Sequence, residues 1–260
     1  MHPLLKKKGF ILDIDGVVGR SAEPIEEGVR GVLKLLEAGK KVVFVSNNST
    51  RSRRILLERL KSFGIPATER EVISATHATA NFIAKEKKGA KVFTTGEDGL
   101  KEELLNAGLN LVDYREAEYL VVGSNRNLDY DLMTKALRCC LQGVRYIATN
   151  PDKIFPSEDG PTPGTGLIIG ALYWMTGRMP DVVVGKPSKV IMEEALERLG
   201  LRAEDVVVVG DQIEVDVVAG RRIGASTLLV LTGVSKREDI ERASIKPDHV
   251  LPSLEALFYS

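Results

Sequence analysis

Short runs of β-branched and other apolar residues alternate along this chain with longer segments in which apolar positions recur every three or four residues. Runs of the first kind cover 10–14, 41–46, 91–95, 119–123, 145–149, 182–185, 206–210 and 227–231. Most carry no internal charge, as strands buried on both faces require. The helical period appears over 25–37, 51–63, 76–87, 100–106, 130–141, 189–199 and 213–222. Within 51–63, Ile55, Leu56, Arg59, Leu60 and Phe63 fall on one stripe, and Gly64 supplies the stop. This alternation predicts an α/β fold with a largely parallel sheet. One stretch, 150–164, breaks the pattern: it is rich in Pro, Gly and acidic residues and predicts a long irregular loop. Loops of that length inside a compact domain are often functional.

Composition narrows the class. Hydrophobic residues make up 43% of the 260 and charged residues 28%, which excludes a mainly disordered chain and leaves enough apolar material for one large domain or two small ones. The 36 Lys+Arg are balanced by 36 Asp+Glu, so no general excess of positive charge favours nucleic acid. The two cysteines, Cys139 and Cys140, are adjacent and form no disulfide framework, in keeping with a reducing compartment. The longest apolar stretch, 167–175, is about half of a bilayer span and contains Gly170. Near the N-terminus, Asp13 ends the apolar run after Lys6, Lys7 and Lys8 before a secretory segment can form. The expectation is a soluble cytoplasmic protein with neither a membrane nor a nucleic-acid partner.

Four of the apolar runs end in polar groups of a related kind. The first ends in Asp13-Ile14-Asp15-Gly16, and two carboxylates spaced by two point to one side of an extended chain. The second ends in Ser46-Asn47-Asn48-Ser49, followed by a helix opening at Thr50-Arg51, whose free N–H groups would suit an anion. A third leads into Lys186, without the first glycine of a Walker A loop, and a fourth into Gly210-Asp211 with Asp216 five residues on. Each alone reads at least as readily as a solvated strand end, an ordinary helix cap or an exposed lysine. Together they supply what phosphoryl transfer needs. Clustered carboxylates repel unless a cation lies among them, and an all-oxygen set suits Mg²⁺. Ser46 and Lys186 would hold phosphoryl oxygens, leaving an aspartate as nucleophile.

The set Asp13-x-Asp15, Ser46, Lys186 and Gly-Asp211-x4-Asp216 resembles the four motifs of the haloacid dehalogenase superfamily of phosphatases. Asp13-Ile14-Asp15-Gly16-Val17-Val18, Ser46-Asn47-Asn48-Ser49, Thr149-Asn150-Pro151-Asp152 and Pro163-Gly164-Thr165-Gly166 are similar to its 4-nitrophenyl phosphatase-like branch. The resemblance implies a Rossmann-like parallel-sheet core, residues 1–78 and 181–260, with an α/β cap inserted over 79–180. It also implies Mg²⁺-dependent hydrolysis of a small phosphomonoester through an aspartyl-phosphate. Asp13 would be the nucleophile and Asp15 the general acid/base. Asp13, the Asp15 backbone carbonyl and Asp211 would hold Mg²⁺. Ser46, the Asn47 backbone and Lys186 would contact phosphate, and Asp216 would support Lys186 or a water. Asn150 and Asp152 become candidate cap contacts to the leaving group, the alternative being a turn tied by an Asx hydrogen bond at Asp152. Relatives acting on pyridoxal phosphate carry a histidine where this chain has Phe155, so another small organic or aryl phosphate is expected to be preferred. Two positions depart from the common pattern: Val215 stands where Thr is usual, and Gly123-Ser124-Asn125-Arg126 replaces Gly-Leu-Asp-Arg. The expected partners are a small phosphorylated metabolite and, through the cap, a second copy of the chain.

Three other readings compete. A phosphotransferase or phosphomutase would use the same chemistry with another acceptor. A non-enzymatic phospho-acceptor domain also combines acids, a hydroxyl and a lysine, but is far shorter. A dehydrogenase is suggested by Gly164-Thr165-Gly166, yet Pro161 and Pro163 precede those glycines where a strand is required.

Overall fold

The computed structural model describes residues 2–157 and 160–259; Glu158 and Asp159, within the expected 150–164 loop, lie outside the described residues. After a 3-10 turn at Pro3–Lys6 the chain runs through β1 (Gly9–Leu12), the short pair β2 (Gly19–Arg20) and β3 (Glu23–Pro24), α1 (Glu26–Glu37), β4 (Lys41–Ser46), α2 (Arg53–Ser62) and β5 (Val72–Ser74). It continues through α3 (Ala75–Glu86), β6 (Lys91–Thr94), α4 (Asp98–Asn106), β7 (Asn110–Leu111), β8 (Tyr119–Val122), α5 (Tyr130–Leu141) and β9 (Arg145–Ala148). Then come β10 (Ile154–Ser157), β11 (Gly160–Pro163), α6 (Gly166–Thr176), β12 (Val182–Val183) and α7 (Lys189–Leu199). The last strands and α-helices are β13 (Val206–Gly210), α8 (Val218–Ile223), β14 (Ser226–Val230), α9 (Arg237–Arg242) and β15 (His249–Leu251), followed by a 3-10 turn at Glu255–Phe258.

These elements form two compact units. The first comprises Met1–Ser46, Leu56–Ile73 and Lys186–Ser260; the second comprises Asn47–Ile55 and Ser74–Gly185. The breaks at 73/74 and 185/186 lie a few residues outside the expected 79–180, and the segment after β4 groups with the insertion.

In the first unit six strands run in the order β15-β14-β13-β1-β4-β5. β1 pairs in parallel with both β4 and β13, with Leu12 opposite Phe44 and Val209. Three strands therefore finish at one edge of the sheet. Phe10, Leu12, Val42, Phe44, Val207 and Val209 share a core with Val32 and Leu35 of α1. Each large apolar side chain buried there contributes about 1.5–3 kcal/mol.

The inserted unit has its own parallel sheet, β12-β9-β8-β6-β7. Its core joins Leu120, Val122 and Tyr146 to Cys139 and Cys140 of α5 and to Ile168, Ile169 and Leu172 of α6. Both cysteines are free and buried, and burial pushes the Cys139 thiol up to about 12.

The expected irregular loop at 150–164 is in part an antiparallel hairpin, β10–β11, with Ile154 opposite Pro163 and Phe155 opposite Thr162. Three prolines argue against a strand, but a two-stranded ribbon has an outward edge on each side where a missing N–H costs nothing. Among the described residues no helix is long and apolar enough to cross a membrane.

Candidate active site

Asp13 follows directly on β1, its amide donating to the Val209 carbonyl at 2.9 Å, so the sheet ladder fixes its backbone. Asp13 is 7% exposed, and its carboxylate forms a 2.8 Å ion pair with Lys186 Nζ. The same ammonium reaches Asp216 Oδ1 at 2.7 Å. Asp216 is placed by a π-helical turn, Ile213–Val217, entered just after β13. That turn folds its Oδ2 back onto the Gln212 amide, at 3.1 Å. A Cβ on Gly210 would fall 2.1 Å from the Asp216 carboxyl carbon, which explains the glycine before Asp211. Glu214, on the same turn, is exposed, as its position in the sequence suggests.

Asp211 receives the Val234 amide on Oδ2 at 2.7 Å. Gly16, in the left-handed region at φ 82°, and Gly233 pack against this carboxylate, and a Cβ on either would come within 2.3 Å of Oδ2. Its other oxygen, Oδ1, is buried and has no hydrogen-bond partner. Burial first, and then the charge of Asp216, push Asp211 up to about 7. Burial likewise raises Asp13 well above the usual carboxylate range against the opposing pull of Lys186. Lys186 is itself raised: burial works to lower it, and the Asp13 and Asp216 charges outweigh burial.

Asp13, Asp211 and Asp216 can bring one oxygen each within 4.8 Å of one another, with one ammonium among three acids. A hard divalent cation fits that charge deficit and that all-oxygen donor set. Asp216 already serves Lys186 and Gln212, whereas Asp211 has an uncommitted oxygen, so the fit favours Asp13 and Asp211 as metal ligands.

The Asp15 carboxylate leaves this group. β1 ends at Leu12, and the turn that follows is closed by Val18 and Gly19 amides donating to the Ile14 carbonyl. Asp13 and Asp15 therefore do not project side by side as an extended chain would have them. Asp15 is half exposed and pairs with Arg59 Nη1 at 2.8 Å. Arg59 was missing from the candidate set, although a charged residue on the buried stripe of α2 is the signal that marks it.

Ser46, at the end of β4, is 2% exposed. The N–H groups beyond it are not free for an anion as expected, because α2 begins at Arg53 rather than at Thr50-Arg51. Asn48 Oδ1 accepts from the amides of Thr50 and Arg51 at 3.1 and 2.8 Å, and Glu103 Oε1 accepts from the Arg53 amide at 2.6 Å. In the inserted unit Asn47 Nδ2 donates to Asp152 at 3.0 Å, and Asn150 Nδ2 donates to the Asn47 carbonyl at 2.6 Å. An Asx hydrogen bond lies at Asn150, whose Oδ1 accepts the Asp152 amide at 3.1 Å.

Residues 10–110 match the family model for haloacid dehalogenase-like hydrolases, and residues 183–257 match a second hydrolase model of the same kind. A 5'-nucleotidase, YutF, from Bacillus subtilis is 38% identical over 95% of this chain and 96% of its own. The chain is a haloacid dehalogenase-like phosphatase. Another relative of this phosphatase is the sugar-phosphatase AraL of the same organism, 36% identical over 95% of this chain and 90% of its own. Among solved structures, the p-nitrophenyl phosphatase from Archaeoglobus fulgidus is 69% identical with a TM-score of 0.96, covering 98% of this chain and 100% of that one. The 4-nitrophenylphosphatase from Thermotoga maritima is 32% identical with a TM-score of 0.95, covering 100% and 99%. The haloacid dehalogenase-like phosphatase fold thus includes the inserted α/β cap seen here as the second unit.

Proposed function

We propose that this phosphatase hydrolyses a small phosphomonoester through a phosphorylated Asp13, with Mg²⁺ as cofactor. The observation that carries the reading is the buried Asp13–Lys186–Asp216 chain beside an Asp211 oxygen without a partner. Asp13 attacks phosphorus, and Asp15 gives its proton to the departing oxygen. Asp15 then takes a proton from the water that attacks the aspartyl-phosphate, which returns free Asp13 and inorganic phosphate. Ser46, the Asn47 backbone and Lys186 hold the phosphoryl oxygens. Asp13, the Asp15 carbonyl and Asp211 would hold Mg²⁺, whose charge lets a dianionic ester approach this acidic edge.

The cap selects the rest of the substrate in this reading, since the core residues engage only the phosphoryl group. Asn150 and Asp152 are the candidate contacts. Phe155 offers an apolar ring without a ring nitrogen, which favours aryl and other small organic phosphates over pyridoxal phosphate. The experiment is kcat/KM across aryl, sugar, nucleoside and pyridoxal phosphates. A preference for pyridoxal phosphate, or an unchanged ranking after Asn150→Ala and Asp152→Ala, contradicts the cap assignment. Release of label from isotopic water into phosphate separates hydrolysis from transfer to another acceptor.

The cap is also where two copies of the chain would pair. On α6, Leu167, Tyr173 and Trp174 are 49%, 49% and 89% exposed. Apolar patches of this kind on soluble proteins mark interaction surfaces.

A further inference from the structure

α2 carries a guanidinium where its buried stripe calls for an apolar side chain. Arg59 sits between Leu56 and Leu60, both fully buried, and its own side chain is 9% exposed. Its Nη1 donates to Asp15 Oδ1 at 2.8 Å, and its Cζ lies 5.4 Å from the centre of the Phe63 ring. Nε and Nη2 are buried and have no hydrogen-bond partner. Arg198, also largely buried, shows what a bracing arginine looks like. It donates to the carbonyls of Glu69, Arg70 and Val72 and to Glu194.

Leaving a buried donor unsatisfied costs on the order of 1–3 kcal/mol. Arg59 carries two such donors and makes a single directed contact, with the one carboxylate of this turn that the proposed chemistry needs to move a proton. The surroundings are fitted to the guanidinium. A Cβ on Gly19 would come 2.5 Å from the Phe63 ring and 3.0 Å from Arg59 Nη2. Asp15, half exposed, makes no other side-chain hydrogen bond or ion pair among the described residues.

We propose that Arg59 is a positioning residue: held against Phe63, it fixes the Asp15 carboxylate in the orientation from which Asp15 exchanges its proton with the leaving oxygen and then with water. This inference rests on the role given to Asp15 above. A carboxylate free to swing loses the near-attack geometry that makes acid catalysis effective. Lysine at this position would keep the charge without the flat, forked donor set.

The test is the leaving-group dependence of Arg59→Met and Arg59→Lys in the full chain, with Mg²⁺ present. kcat/KM covers the steps up to departure of the phenol. Phenyl phosphate needs a proton on its leaving oxygen, whereas 4-nitrophenyl phosphate, with a far more acidic phenol, needs it much less. Arg59→Met is expected to lower kcat/KM for phenyl phosphate by about a hundredfold, within the range of a lost general acid. The fall for 4-nitrophenyl phosphate should be at least tenfold smaller, with Arg59→Lys recovering part of that selectivity. A selectivity between the two esters that shifts by less than tenfold in both variants overturns the proposal and leaves Arg59 as a brace of the turn. Trapping phosphoryl on Asp13 in the same variants keeps the two claims apart. Phosphorylated Asp13 with unchanged selectivity sinks only the role of Arg59, while absence of phosphoryl on Asp13 in the wild type sinks the mechanism.

Discussion

Lys186 is joined to Asp216 by a 2.7 Å ion pair in which the side chains are only 3% and 2% exposed. On its other side the same ammonium holds Asp13. Lys186→Met would leave two buried carboxylates without their cation. Breaking a buried pair costs about 3–5 kcal/mol. Thermal melts without metal should show a midpoint lowered by roughly 10 °C for a chain of this size, and activity should fall at least a hundredfold. An unchanged midpoint would mean that the pairing does not contribute to the fold.

Metal removal should abolish turnover. A phosphomonoester dianion meets the Asp13 and Asp211 carboxylates, and each unscreened like-charge pair at ~4 Å costs about 4 kcal/mol at an effective dielectric of 20. EDTA should stop hydrolysis, Mg²⁺ should restore it, and Ca²⁺, with its looser and larger coordination, should restore it poorly. Asp211→Asn should raise the Mg²⁺ concentration required for half-maximal activity. Full turnover after exhaustive chelation contradicts the metal assignment.

Glu255 provides a pH-dependent contribution to stability away from the site. Its carboxylate accepts from Lys34 Nζ at 2.9 Å, Arg30 Nε at 3.0 Å and Tyr259 OH at 2.9 Å. The Lys34 hydrogen bond leads the causes that hold Glu255 down to about 2. The folded value lies below that of an unfolded glutamate, about 4.3, so the contribution is complete above that value and is lost as pH falls towards 2. Glu255→Gln should therefore melt lower than wild type at pH 7, and the gap should close between pH 4.3 and 2. A gap independent of pH would remove the ion-pair explanation.

Trp174→Glu tests the proposed pairing of copies. Sedimentation velocity should show the wild type as a dimer and the variant as a monomer, because a charge on the exposed face of α6 opposes burial against a second copy. A wild type that is monomeric at every concentration contradicts the pairing.

Much of the core was legible because its strands are short, β-branched and free of internal charge: 41–46 and 206–210 are β4 and β13 as read from the sequence. The polar residues that end those strands could be placed for the same reason, since parallel register brings the ends to one edge. Other features depend on contacts that periodicity does not encode. α6 is apolar on all sides and contains Gly170, so no stripe marks it as a helix. α2 starts two residues late because Asn48 and the distant Glu103 satisfy the donors before and at its first turn. Asp15 turns from Asp13 because β1 ends at Leu12, and its partner Arg59 lies 44 residues away. The hairpin β10–β11 was hidden by prolines that only an edge strand tolerates.

The central claim is that Asp13 carries the phosphoryl group during turnover. Rapid acid quenching of the enzyme with Mg²⁺ and 4-nitrophenyl phosphate, followed by mass spectrometry of its peptides, measures this directly. One added phosphoryl group is expected on the peptide containing Asp13, absent from Asp13→Asn, which should also lose turnover. A phosphoryl group on another residue, or wild-type turnover by Asp13→Asn, would contradict it.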